Sequence, residues 1–82
     1  MTPDLATELA QLVATSAPPV AHVLQFFAFA HLPPHLQAVS RIFAQAAVDV
    51  THAVPSNAEL TVALRKLLEA KDAAVRAALV KP

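Results

Sequence analysis

Between residues 55 and 80 the chain reads PSNAELTVALRKLLEAKDAAVRAALV, and its apolar positions recur with the period of an α-helix. Taking 100° per residue from Leu64, the residues Leu60, Leu67, Leu68, Val75, Ala78 and Leu79 fall within about 60° of it, a stripe wide enough to be buried. Ser56 with Glu59 three residues on makes a capping box, in which each side chain meets a backbone N–H of the first turn. A long final helix starting at Ser56 is therefore predicted. Lys71 falls in the middle of its apolar stripe, where an unpaired ammonium is costly to bury. Its stem can snorkel or its head pair across a subunit boundary, it can be a cation kept for an anionic ligand, or the face is misassigned by one residue. Arg65, Glu69, Asp72 and Arg76 gather on one flank, and the spacing predicts i,i+4 pairs Arg65–Glu69 and Asp72–Arg76. Such pairs contribute only ~0.2–0.5 kcal/mol each, so the flank reads as a solvated or intersubunit face.

The same pattern organises the rest of the chain. Thr2-Pro3-Asp4 reads as a helix opening, with a hydroxyl cap, proline in the first turn and an acid at the positive dipole end. Leu5, Leu9, Leu12 and Val13 give that helix one apolar stripe, ending near Ser16. Ala17-Pro18-Pro19 breaks it. Val20, Val23, Leu24 and Phe27 keep helical spacing, whereas Phe27, Phe29 and His31 alternate with Ala28 and Ala30, which predicts a short helix that unwinds near Phe27. Leu32-Pro33-Pro34 is a firm break, because a residue before proline leaves the α region. All four phenylalanines lie at positions 26–43, so the core is expected around this joint. Pro34 then opens a helix of about five turns, with Leu36, Val39, Phe43, Ala46, Ala47, Val50 and Val54 on its apolar side and Gln37, Arg41, Gln45 and His52 opposite. A short joint at Val54-Pro55-Ser56 implies an antiparallel helical hairpin, with Ala46, Ala47, Ala74 and Ala78 allowing close approach. Residues 1–17 form an additional N-terminal helix, and residues 18–82 the hairpin domain.

Composition sharpens the class. The 82 residues include nineteen alanines and no glycine, which favours helix throughout, so the fold class is all-α. With 56% hydrophobic and 15% charged residues, the chain holds more apolar surface than a small monomer readily hides, and a helical homo-oligomer is expected. There is no cysteine, and thus no disulfide or thiolate site. The first Lys or Arg is Arg41, which argues against a secretory signal, and the densest apolar run, residues 20–30, is too short for a bilayer. A soluble protein is expected. The formal net charge is zero, giving no sign of affinity for long nucleic acid, although all six cations lie in residues 41–82.

Candidate chemistry is sparse. Asp4 and Glu8 could be imagined as paired catalytic carboxylates, but acids in a first helical turn are already explained by the dipole. His31 and His35 have the i,i+4 spacing of a zinc pair, yet Pro33 and Pro34 lie between them and deny the helix that would align the rings. Ser16, Ser40 and Ser56 have no nucleophile elbow, and the absence of glycine excludes phosphate-binding glycine loops. The residues point to a binding or structural module rather than an enzyme, with no metal and no cofactor.

The run FFAFAHLPPHLQ (residues 26–37), followed after a PSNAE cap by ALRKLLEAKDAAVRA (residues 63–77), resembles the small phage-encoded cyclic-oligonucleotide sponges that counter CBASS immunity, and the related hairpin core of anti-Thoeris sponges. The likeness covers residues 24–80. It implies a homo-oligomer, commonly a hexamer, of helical hairpins in the cytoplasm of an infected bacterial host. Such a protein sequesters cyclic dinucleotides or trinucleotides between subunits without cleaving them. The opening motif of the family maps onto Phe29, His31 and Pro33, where a base could stack and a phosphate be met; a phenylalanine stands at 29 where tyrosine is frequent, and Arg41 is the only cation of the middle helix. Two phosphates and two flat bases ask for cations and an aromatic shelf, which Phe29, His31 and Arg41 offer, with Arg65, Lys71 and Arg76 as a second cationic set. Phe29 reads equally well as a core aromatic. The alternative function is a structural or partner-binding helical oligomer with no small ligand.

Overall fold

The computed structural model describes residues 4–80, all helix and connections, with no strand among them. Four helices follow in order: α1 (Leu5–Thr15), α2 (Pro18–Leu24), α3 (Pro34–Ala53) and α4 (Ala58–Leu79), with a 3-10 turn at Gln25–Phe27 after α2. The all-α class read from composition is what the chain adopts.

Asp4 caps α1, its Oδ1 accepting from the Thr7 N–H at 2.8 Å. Thr2 and Pro3, the expected cap and first helical residue, lie outside the described residues. The Thr7 backbone hydrogen bond, then the one with its side chain, holds the Asp4 carboxyl below its ordinary value of 3.8, and the Arg41 charge acts in the same direction. A depressed folded-state pKa means that the unfolded chain binds the proton more readily. The stabilisation is therefore complete above the ordinary carboxylate range and lost as pH falls through the folded pKa. Asp4→Asn, which can still cap, is expected to flatten the acid side of the stability profile below about pH 4, as measured by thermal melts across pH. An unaltered profile would contradict this.

Pro18 and Pro19 occupy the first turn of α2, where a missing N–H costs nothing. The helix unwinds as expected: after the 3-10 turn the backbone extends at Ala28, so Phe29 turns inward while Ala28 and Ala30 stay exposed. The Leu32 N–H then donates to the Phe29 carbonyl at 3.0 Å, closing a turn. Gln37, from the first turn of α3, donates its amide to the carbonyls of Leu32 (2.7 Å) and Ala30 (3.3 Å), tying the loop to the helix that follows it.

In α3 the buried face differs from the expected stripe. Leu36 and Ala47 are buried as anticipated, but the other buried positions are Ser40, Ala44 and Val48. Val39, Phe43, Ala46 and Val50 are only partly covered, and Val54 lies beyond the helix and is exposed. Taking 100° per residue, the buried direction is turned by roughly 80° from the expected one. The cause is that α3 packs against α4 and also against α1 and the 3-10 turn, so two sides of it are covered. Ser40, on the buried side of α3, is 0% exposed, and its hydroxyl has no hydrogen-bond partner. A buried hydroxyl without a partner costs ~1–3 kcal/mol, so Ser40→Ala is expected to stabilise the fold by ~1 kcal/mol, an upward shift of ~4–8 °C in Tm for a domain of this size. A fall in Tm would show that the hydroxyl does have a use.

Asn57, not Ser56, caps α4, its Oδ1 accepting from the Leu60 N–H at 3.1 Å. The two residue types cap almost equally well, so pattern could not choose between neighbours. With Asn57 as cap, Glu59 no longer stands three residues on and the capping box is not formed. Leu60 and Leu64 are buried, Leu67, Leu68, Lys71 and Val75 partly so, and Ala78 and Leu79 are exposed. The stripe is real but loses its cover toward the C-terminal end. One cluster joins Leu5 and Leu9 of α1, Val20, Val23 and Leu24 of α2, Phe27, Phe29, Ala44, Ala47, Val48, Leu60 and Leu64. Phe27 and Phe29 are at its centre, as the joint predicted, but Phe26 is half exposed with its ring edge-on to His22 at 5.6 Å.

Candidate functional site

The extended segment after the 3-10 turn faces the N-terminal helix across an apolar cleft of about 400 Å³. Ala6, Leu9, Ala10 and Val13 of α1 form one wall; Gln25, Ala28, Phe29, Ala30 and His31 form the other. The cleft exists because Leu5 and Leu9 anchor α1 in the core while Ala6 and Ala10, beside them on the helix, are too small to fill the gap. A second cavity of about 450 Å³ lies between the start of α2 and the connection into α4, lined by Pro19, Val20, Ser56, Asn57 and Thr61 among others.

The seven residues singled out from the sequence divide into two groups. Phe29, His31 and Pro33 lie in one loop, and Arg41 reaches Phe29 from α3: its guanidinium carbon stands 5.4 Å from the centre of the ring, within cation–π range. Phe29 itself is 3% exposed, so the ring is a core aromatic whose remaining edge lines the cleft. His31 is exposed on the cleft wall, and Pro33 is exposed as the residue preceding α3. Arg65, Lys71 and Arg76 are on α4, which supplies none of the cleft lining among the described residues.

The charge pairs on α4 differ from the i,i+4 spacing. Glu69 pairs with Lys66 at 3.6 Å, and Asp72 with its neighbour Lys71 at 3.1 Å. Arg65 and Arg76 are exposed and, among the described residues, in no ion pair. The Lys71 side chain is only 15% exposed, so its stem lies along apolar surface of its own chain while the ammonium meets Asp72 at the edge. Replacing such a pair by an apolar residue is often neutral or stabilising. Lys71→Met is expected to leave the urea midpoint unchanged or raised, whereas Lys71→Glu, setting a second negative charge beside Asp72, should lower it. Equal midpoints for both variants would mean that the side chain is in effect solvated.

Glu8 Oε1 lies 3.9 Å from His52 Nδ1, linking α1 to the end of α3. Asp4 is occupied as a cap, so the two carboxylates do not form a pair of free acids. No three His, Cys, Asp or Glu side chains approach one another closely enough to hold a metal ion among the described residues. No described helix is long and apolar enough to cross a membrane.

Sequence reasoning missed the α1 wall of the cleft. The available signal was the pair Ala6 and Ala10 on the edge of the first apolar stripe, small residues where a larger one would have closed the gap. No family model, curated protein or solved structure matches the chain.

Proposed function

We propose that the protein is a phage anti-defence sponge that binds cyclic dinucleotide or trinucleotide immune signals and holds them without cleaving them. The observation that carries this reading is the Arg41 guanidinium held over Phe29, a residue that with His31 lines an apolar cleft, in a chain whose motif order resembles the sponge family. An arginine held over an aromatic ring keeps its fork of donors ordered and free at the rim for phosphate, and the cleft offers apolar surface for a base. On this reading α3 and α4 form the antiparallel hairpin, and the chains assemble as a homo-oligomer of six in the cytoplasm of the infected host. The exposed Arg65 and Arg76 of a neighbouring copy supply further charge, with Lys71 beside them. The protein acts by binding and is not an enzyme; it uses no cofactor and engages neither long nucleic acid nor a membrane.

A second reading, a structural or partner-binding helical oligomer without a small ligand, is favoured by one feature: Ile42, Val62, Leu79 and Val80 are large apolar residues left exposed. A thermal-shift panel of cyclic dinucleotides, cyclic trinucleotides and cyclic ADP-ribose isomers separates the two. A ligand at ~100 times its Kd adds ~2.7 kcal/mol to the native state, which in a domain this small is a shift of many degrees. The sponge reading expects a shift with at least one cyclic oligonucleotide, and the structural reading with none.

A further inference from the structure

The cleft between α1 and residues 28–31 has the make-up of a site for a flat ring. Its lining is mainly apolar, from Leu9, Ala10, Val13 and Ala28, with Gln25 and His31 as its polar side chains. The N–H groups of Phe29, Ala30 and His31 donate no hydrogen bond among the described residues: the chain leaves the 3-10 turn extended at Ala28 and then turns at Ala30 and His31, where the Leu32 N–H closes back on the Phe29 carbonyl. All three residues line the cleft, and Ala30 and His31 are exposed, so a ligand edge can take the place of the water that meets their N–H groups. The Gln25 amide nitrogen is already used, donating to the His22 carbonyl at 3.0 Å, which leaves its oxygen as an acceptor. An apolar slot with several donors and one acceptor along one wall matches an aromatic heterocycle whose edge carries ring nitrogens or carbonyl oxygens.

Size and charge limit what can enter. About 400 Å³ is near the lower end of the ~300–1,000 Å³ typical of small-molecule pockets. A ring fits with room for water, whereas two bases and two phosphates together do not. No cation lines the cleft, so a phosphate has no partner inside it. Arg41 stands over the Phe29 ring and acts on Asp4, one turn before the α1 wall, so a cation waits outside the slot rather than within it. Phe29 presents no free face for stacking, which removes the simplest aromatic shelf and leaves the cleft as the place for a base.

We infer that this cleft is a nucleobase subsite within a single chain, with α1 as its outer wall, and that the sugar-phosphate ring of the ligand stays outside it. The inference rests on the proposed sponge function and adds to it which part of the ligand enters and which helix receives it. It also gives the N-terminal helix, outside the stretch that resembles the sponge family, a direct role in binding.

The test uses the full chain, isotope-labelled for methyl NMR, titrated with purine and pyrimidine cyclic dinucleotides and trinucleotides, with ribose 5-phosphate as a base-free control. Two variants narrow the cleft from opposite walls, Ala10→Phe and Ala28→Leu; both positions are exposed, so the fold should tolerate them. The expected result is shifts at the Ala6, Ala10 and Val13 methyls with a cyclic oligonucleotide and none with ribose phosphate, together with roughly tenfold or greater weakening in each variant. Binding of a cyclic oligonucleotide with unchanged affinity in both variants overturns the subsite and leaves the sponge function standing. No binding by the parent chain to any of the cyclic probes overturns both.

Discussion

Phe27→Ala is expected to remove about a third or more of the protein's stability and, if the parent is at the lower end of the usual range, to unfold it at room temperature. The ring is 0% exposed at the point where α2 passes through its 3-10 turn into the loop, and it belongs to the cluster that joins all four helices. Truncating a buried phenylalanine costs ~3–5 kcal/mol, from lost transfer energy and from the void left behind. At ~0.05–0.15 kcal/mol per residue, an 82-residue chain has ~4–12 kcal/mol in total. At the lower end of that range this one change cancels nearly all of the stability, and at its middle it removes about half. Phe26→Ala is the control, since its ring is half exposed and stands edge-on to His22. Circular dichroism during urea titration should show a small shift of the midpoint for Phe26→Ala and a large fall for Phe27→Ala. Similar midpoints for the two would contradict the assignment of the core.

Arg41→Ala is expected to weaken binding of a cyclic oligonucleotide by ~1.5–3 kcal/mol, the range for a hydrogen bond to a charged group, or roughly 10- to 150-fold in Kd. Affinity of the parent should also fall as salt rises, because the rim is exposed and screened. The substitution uncovers the Phe29 ring as well, so a thermal melt must show that the fold survives. Arg41→Lys separates the roles: it keeps the charge but loses the planar fork, and an intermediate affinity is expected. If Arg41→Ala binds like the parent, the phosphate contact lies elsewhere, with the α4 cations as the remaining set.

Much of the fold was legible because breaks and helices were signalled by residues with one dominant effect. Pro18-Pro19 and Pro33-Pro34 set two helix starts, and the alternation of Phe27, Phe29 and His31 against alanines marked where the helix gives way to extended chain. What failed was the rotation of α3. A stripe read from periodicity assumes one covered side and counts a hydroxyl as polar, so the burial of Ser40 and Ala44 on a helix covered from two sides could not be read from it. The α4 cap failed by one residue for a related reason, two equivalent cap types standing side by side.

The candidate site was legible only in its loop half. Phe29, His31 and Pro33 share one loop by their sequence positions, and Arg41, two turns into the helix that Pro34 begins, reaches the Phe29 ring. Two things required the fold: that Phe29 is covered, and that α1 closes a cleft over it. The pairing of Lys71 with Asp72 was hidden too, because adjacent helix positions do not normally face one another and only a half-buried stem bends the ammonium to the stripe's edge.

The most direct measurement is titration calorimetry of the parent chain with the same panel of cyclic dinucleotides and trinucleotides, followed by heating the complex and chromatography of the released ligand. Saturable heat with at least one member of the panel, and recovery of that ligand unchanged, is the predicted result; no heat with any member at high micromolar protein, or recovery of a hydrolysed product, would contradict it.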